Sequence, residues 1–397
     1  MRMVGTEARG IRLPIIMPGD NLSEIVVNSV LETVAEEGFS LRDRDVIGIT
    51  EAIVAKSQGN YASVDDIAAD IRKKFPEGEV GLVFPILSQN RFLNILKGIS
   101  RGAKKVYVLL SYPQDEVGNP VCDPEMDDQT EDALLAAGLM SEKQFRSIAG
   151  EFVHPFTGKD YAALYREAGD NIEVYFSKDA RDILKLTSHI LVGQIHLRER
   201  TKRRLEKGGA KAVYCLDEIL STPMSAPDAN GYHGYNEKYG VLGSNISTNE
   251  QLKLFPRECS ELVKDVKEAV LARTGCNVEV LVYGDGAFKD PVCGIWELAD
   301  PVVSPAFTGG LNGTPNEIKL KYIADNNFGE LRGEEKRQAV TEFIRGKEKG
   351  QTTFVEGTTP RRYTDLLGSL CDLMSGSGDK GTPVILIQGY FDNYATV

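Results

Sequence analysis

Residues 80–111 constrain the fold of this 397-residue chain most tightly. Residues 80–86 read as an apolar strand, 90–100 as a helix and 105–111 (KVYVLLS) as a second strand. A strand, helix, strand run is a βαβ unit, so part of the sheet is expected to be parallel.

The N-terminal segment repeats the strand, helix, strand theme. Residues 13–16 read as a strand, and Pro18, Gly19 and Asp20 as a turn. Asn21 with Glu24 three residues on has the spacing of a capping box. Leu22, Val26, Val30 and Val34 recur every four residues, which gives one apolar helix face until Gly38 stops it. Residues 45–50 (DVIGIT) read as a short buried strand. The last third alternates strand-like runs with glycine-rich turns. These are Val241-Leu242 into Gly243-Ser244-Asn245, residues 278–282 into Gly284-Asp285-Gly286, and residues 375–381 (SGSGDKG) into 384–388.

Charge and composition narrow the function classes. The chain carries 46 Lys and Arg against 58 Asp and Glu, a net charge of −12, and is 42% hydrophobic, which suits a packed core and excludes wholesale disorder. An acidic balance argues against a nucleic-acid binder, because phosphate backbones are gripped by clustered bases. No apolar run approaches the roughly 20 residues that span a bilayer, and residues 1–20 lack a signal-peptide pattern, so a cytoplasmic location is expected. The cysteines include no C-x-x-C pair and read as reduced thiols. Residues 113–132 hold eight acids and no base, which reads as a solvated loop. The basic stretch from Arg198 to Lys207 is interleaved with Glu199 and Glu206 and reads as an exposed helix face. His189 and His196, seven apart, would share a side of a helix and read as packing residues.

Chemistry is expected at the three glycine-rich loops. Each sets small residues and an Asp or Asn beside an apolar strand, where backbone amides can approach an anion and a carboxylate can hold a metal. Residues 375–381 are the most suggestive, since three glycines in seven residues permit close approach to phosphates. The loop is not a Walker A sequence and precedes a strand rather than opening a helix.

Several stretches, in order, resemble the coenzyme F420-0:γ-glutamyl ligase family. They are LPII (13–16), GDNLSEIV (19–26), DVIGITEAIVAKSQG (45–59), the GSN turn, GDGAF (284–288) and TDLLGSLCDLMSGSGDKGTPVILIQGY (364–390). They cover roughly the first 60 residues and most of the chain after Tyr239. The middle has no counterpart in the family's short members.

The resemblance implies a ligase that uses GTP and a divalent metal, Mg or Mn, to activate a carboxylate as an acyl phosphate for attack by the amine of glutamate. Such chemistry needs a phosphate cradle, cations for the γ-phosphate and exclusion of water. It maps Leu13, Pro14, Ile15 and Ile16, Glu51, Lys56 and Thr248 onto nucleotide contacts, with Lys56 supplying positive charge. It maps Ser375, Gly376, Ser377, Gly378, Asp379, Lys380, Gly381 and Thr382 onto the nucleotide loop, and Asp285 onto a metal-binding aspartate. Departures are visible: Glu51 stands in place of a serine, Asn245 in place of the first metal aspartate, Gly286 in place of a threonine and Ser377 in place of a glutamate. Glu51, Asp290, Glu297 or Asp379 could compensate for the lost carboxylates.

The expected fold is α+β, with a ligase-like core at residues 1–78 and 234–397, an inserted βαβ-containing segment at 79–233, and a homodimer as the resemblance implies. The expected function is a nucleotide-dependent amide ligase joining glutamate, or another amino acid, to a small carboxylate. Ser88, Asn90 and Arg91, beyond the strand at 80–86, are the expected acceptor contacts, with Arg91 pairing to a substrate carboxylate. A non-catalytic nucleotide-binding protein is the alternative. An α/β oxidoreductase is disfavoured, because no G-x-G-x-x-G follows the first strand.

Overall fold

The computed structural model describes residues 3–224, 234–292, 294–315, 318–346, 361–375 and 379–396. The chain opens with β1 (Glu7–Ile11), α1 (Leu22–Glu37), β2 (Val46–Thr50), α2 (Glu51–Ser57), β3 (Tyr61–Ser63) and α3 (Val64–Lys74). The α1 signals read from the sequence hold: the Asn21 side chain accepts from the Glu24 N–H, Gly38 closes the helix at φ 69°, and Leu22, Val26 and Val30 are buried. The strand expected at 13–16 lies earlier, as β1. Pro14 has no N–H to give a ladder, and Glu7 and Arg9 on this edge strand mask its apolar alternation.

The middle of the chain forms β4 (Glu79–Val83), α4 (Gln89–Gly102), β5 (Lys105–Leu110), α5 (Asp128–Ala137), β6 (Met140–Ser141), α6 (Glu142–Ala149), α7 (Tyr161–Arg166), β7 (Ile172–Phe176), β8 (His189–Val192), α8 (Arg198–Lys207) and β9 (Ala212–Cys215). Its sheet runs β6-β7-β5-β4-β8-β9 and is parallel except for β6. The βαβ expectation is therefore met, and the chain reverses direction across the sheet at β4, a topological switch point of a doubly wound sheet. The first strand is shorter than read, because Phe84 takes φ 51° and Pro85 follows. His189 lies in a strand and His196 in a loop, so the two do not share a helix. The acidic stretch is not wholly solvated either. Asp115 is buried and accepts from the Leu87, Val117 and Asn119 N–H groups. The Glu116 carboxylate accepts from three successive N–H groups, Ile195, His196 and Leu197.

The remainder builds β10 (Asn245–Thr248), β11 (Gln251–Lys253), α9 (Cys259–Thr274), β12 (Glu279–Tyr283), β13 (Phe288–Lys289), β14 (Trp296–Glu297), β15 (Ala306–Phe307), α10 (Leu320–Asn326), α11 (Gly333–Gly346), α12 (Tyr363–Ser375) and β16 (Val384–Gln388). Val241 and Leu242 form a turn, not a strand. A second sheet, β1-β16-β2-β12-β15, joins the two ends of the chain, and β10-β11-β3 forms a small third sheet. In the second sheet β2 and β12 are parallel, while β16 is antiparallel to both β1 and β2 and β15 is antiparallel to β12. The helices α1 and α9 supply Val26, Val30, Val263 and Val266 to the core around β2 and β12, and α12 covers Tyr283 and Ile385 with Leu367 and Cys371. Gly48 is required here: the Cys371 Sγ occupies the place a Cβ would take in the middle of β2. The whole is an α+β protein.

Candidate active site

The pairing directions bring distant segments to one edge of the second sheet. Ile11 pairs with Val384, Val384 with Ile49, Thr50 with Tyr283 and Val282 with Ala306. The C-terminal ends of β1, β2 and β12 therefore lie beside the N-terminal ends of β16 and β15. Leu13, Pro14, Ile15 and Ile16 follow β1 at this edge, and the Leu13 N–H donates to the Gly381 carbonyl at 3.4 Å. The Thr50 N–H donates to the Pro383 carbonyl at 2.9 Å. Gly19, just beyond the LPII segment, donates to the carbonyl of Ser57, the neighbour of Lys56. Asp379, Lys380, Gly381 and Thr382 thus stand between the LPII segment and α2. The Thr382 hydroxyl donates to the Ser375 carbonyl at 3.1 Å, closing the loop at its base. Gly376, Ser377 and Gly378 lie outside the described residues.

Toward the other side of this edge the residues are acidic. Glu51 opens α2, is buried, and accepts from Lys253 Nζ at 2.6 and 2.8 Å. Asp285 follows β12, and both its oxygens accept from Arg91 Nη2, at 2.7 and 2.6 Å. Arg91 Nη1 donates to Asp300 at 2.7 Å and to the Gly243 carbonyl at 3.2 Å. The other oxygen of Asp300 accepts from the Asp285 N–H at 2.7 Å. Asp372, on α12, accepts from the Gly286 N–H at 2.9 Å. Arg91 is held in place from its own side by the first turn of α4, which Ser88 caps through the Arg91 N–H at 3.1 Å. The doubly wound sheet thus delivers a guanidinium, from beyond β4, into the acids of the second sheet.

This places the expected acceptor clamp differently from the sequence reading. Arg91 does pair with a carboxylate, through Nη2 to both oxygens, but the carboxylate is Asp285. Asn90 turns to Asn245, donating from Nδ2 to Oδ1 at 3.2 Å, so Asn245 sits at the margin of the cluster. Thr248 is three residues further along β10, on an exposed hairpin whose carbonyl accepts from Asn94. Three residues of strand span about 10 Å, so Thr248 stands apart from the acids.

Five carboxylates (Glu51, Asp285, Glu297, Asp300 and Asp372) face Arg91 and Lys253. Burial, then the neighbouring Asp300, pushes Asp285 up to about 8 against the pull of Arg91. Glu51 is also raised, by burial first, with Lys253 opposing. Burial raises Glu297 and Asp372 as well. Burial works against the Arg91 charge, but Asp300, Asp285 and Glu51 raise its pKa and keep it protonated. A folded-state pKa above the unfolded value means that the folded protein binds the extra proton, so stability falls as pH rises between the two. In chelator-containing buffer, Asp285→Asn should therefore gain stability relative to the parent between about pH 4 and about pH 8. Urea midpoints that differ by a constant amount across that window would contradict this.

Oxygen-rich sites with excess negative charge suit hard divalent cations. Asp285, Asp300 and Asp372 supply such acids, but their oxygens are not gathered within 4.8 Å of one another, and the positive charge between Asp285 and Asp300 is supplied here by the guanidinium. Among the described residues, the one group of three metal-ligating side chains whose ligand atoms lie within 4.8 Å of one another is Cys215, Asp217 and Glu218. It lies at the C-terminal end of β9, and Arg198 and Lys202 already neutralise its carboxylates at 2.6 Å each.

Asp300, Asp372 and Lys253 were not singled out in the sequence. Asp372 had a signal, since it lies on the helix that leads into the glycine-rich loop. Asp300 and Lys253 had none at short range, for their roles depend on strand pairing.

The fold and the cleft define an α+β protein with an acid cluster where the two sheets' loops meet. The chain belongs to the F420-0:gamma-glutamyl ligase family, whose model matches residues 10–389. The family is one of ligases that form a γ-glutamyl bond, and the match runs through residues 79–233 as well as the flanking segments. No curated protein matches the chain. No helix among the described residues is long and apolar enough to cross a membrane.

Proposed function

We propose that the protein is a nucleotide-dependent amide ligase that activates a small carboxylate as an acyl phosphate and couples it to an amino group. The observation that carries this reading is the convergence of LPII, α2, the residues before β16, and Asp285 at one sheet edge. Chain segments more than 300 residues apart meet there.

In this reading the amides around Gly381 and the LPII backbone seat a nucleoside triphosphate, GTP or a relative. Lys56 offsets phosphate charge; its ammonium has no hydrogen bond or ion pair among the described residues. Asp285, Asp300 and Asp372 would hold a Mg or Mn ion, which when bound supplies charge neutralisation at the γ-phosphate. Arg91 and Asp300 orient Asp285, because the guanidinium and the Asp285 N–H fix both carboxylates. The doubly wound sheet closes the cleft opposite, where it limits water around the reactive acyl group.

A second reading is a nucleotide-binding protein without turnover. It draws on one observation, that Arg91 takes both oxygens of Asp285. Metal-dependent phosphate release separates the two. Lys56→Ala should weaken nucleotide binding by about 1.5–3 kcal/mol, the range for a hydrogen bond to a charged group, or roughly ten- to a hundredfold in Kd. Unchanged GTP and ATP affinity by isothermal titration would remove Lys56 from the nucleotide seat.

A further inference from the structure

The cation place in the acid cluster is already filled. Both oxygens of Asp285 accept from one nitrogen of Arg91, Nη2, at 2.7 and 2.6 Å, so that nitrogen sits on the edge of the carboxylate that a bidentate cation would use. The other nitrogen, Nη1, takes Asp300 at 2.7 Å. The guanidinium is thereby wedged between two acids whose oxygens are not gathered with those of Asp372. The contact is sheltered, the side chains of Arg91, Asp285 and Asp300 being 15%, 18% and 1% exposed. A divalent ion and this guanidinium cannot share one carboxylate edge, because like charges in contact repel strongly where water is scarce.

Arg91 has somewhere else to go. It also lines a cavity of about 360 Å³ between the loops that follow β4 and β5 and the β13–β14 hairpin, together with Ser88 and Asn90. Among the described residues of that lining Arg91 is the only base, against Asp285, Asp290 and Glu297. While Asp285 and Asp300 hold it, an anion entering the cavity meets no free positive charge. The move asks little of the surroundings. Asp300 keeps a partner in the Asp285 N–H, and the Ser88 cap fixes the Arg91 backbone, so only the long side chain has to turn.

We propose that Arg91 is a placeholder for the divalent ion. It orients Asp285 until the ion binds, then turns into the cavity and becomes the positioning residue for a substrate carboxylate. The proposal rests on the ligase reading and gives it an order, in which metal and nucleotide bind before the anionic substrate finds a positive partner. The coupling is reciprocal: a substrate anion that holds Arg91 in the cavity tightens the metal.

Phenylglyoxal, which modifies guanidinium groups, reads the move in the unaltered full-length protein. Labelling of Arg91, followed by peptide mass spectrometry, should be slow without metal and rise at least about fivefold with saturating Mn²⁺ and a non-hydrolysable GTP analogue. It should fall again when coenzyme F420-0 or L-glutamate, the two substrates that the family's name carries, is added. Arg91→Gln removes the competing charge and should bind Mn²⁺ at least about tenfold more tightly than the parent without nucleotide, by electron paramagnetic resonance. Thermal unfolding checks the fold of that variant. Unchanged labelling with Mn²⁺ bound, no protection by either substrate, or equal or weaker Mn²⁺ binding by Arg91→Gln would overturn the proposal and leave the ligase reading standing. Mn²⁺ that binds neither the parent with nucleotide nor Arg91→Gln would sink both.

Discussion

Replacing Asp285 by Asn should lower metal-dependent nucleotide turnover by on the order of 10²-fold or more while leaving the fold intact. A metal ion that neutralises developing phosphate charge contributes several kcal/mol to the transition state, and each 1.36 kcal/mol is about tenfold in rate. Asn keeps the shape of the side chain and can still accept from Arg91, but it removes the charge on which a hard cation depends. The readout is phosphate release with GTP or ATP in Mg or Mn, alongside circular dichroism to confirm the fold. Full turnover in the variant would make Asp285 a structural partner of Arg91 and nothing more.

Arg91→Ala should cost about 3–5 kcal/mol of stability, the range for removing one partner from a buried ion pair. Arg91 serves two carboxylates at once, and the side chain of Asp300 is only 1% exposed. Without the guanidinium, Asp285 and Asp300 are left facing each other across the Asp285 N–H, with Asp372 and Glu297 adding repulsion. Urea unfolding in chelator should show the loss, and millimolar Mn or Mg should restore part of it, because a cation can take the place the guanidinium leaves. A loss below about 1 kcal/mol, the scale of an exposed pair, would show that the cluster is well solvated and would weaken the case for a metal centre.

Local pattern made much of the fold legible. The cap at Asn21, the period-four apolar face and the stop at Gly38 specify α1 from sixteen residues of sequence. The alternation around residues 80–111 specified the βαβ unit. What local pattern could not reveal was long-range pairing. β1 and β16 are neighbours although nearly the whole chain separates them, and neither carries a signal for its partner. The site shows the same division. Asp285 and the loop before β16 stood out by their glycines, and Arg91 by its place beyond the strand at 80–86, but its partner read as a substrate carboxylate and not as Asp285. Its role comes from the packing of one sheet's loop against another's, which no spacing in the sequence encodes. Glu116 and Asp115 make the same point in reverse: an acid-rich run reads as solvated, yet backbone N–H groups from other segments hold both, with Asp115 buried and Glu116 half-buried.

The most direct test of the metal and nucleotide centre is an electron paramagnetic resonance titration of Mn²⁺ into the full-length protein. It is run with and without a non-hydrolysable GTP analogue, for the parent and for Asp285→Asn. The account predicts bound Mn²⁺ that depends on the nucleotide and is lost in the variant. Mn²⁺ that remains free in the parent with nucleotide present, or that binds the variant equally well, would contradict it.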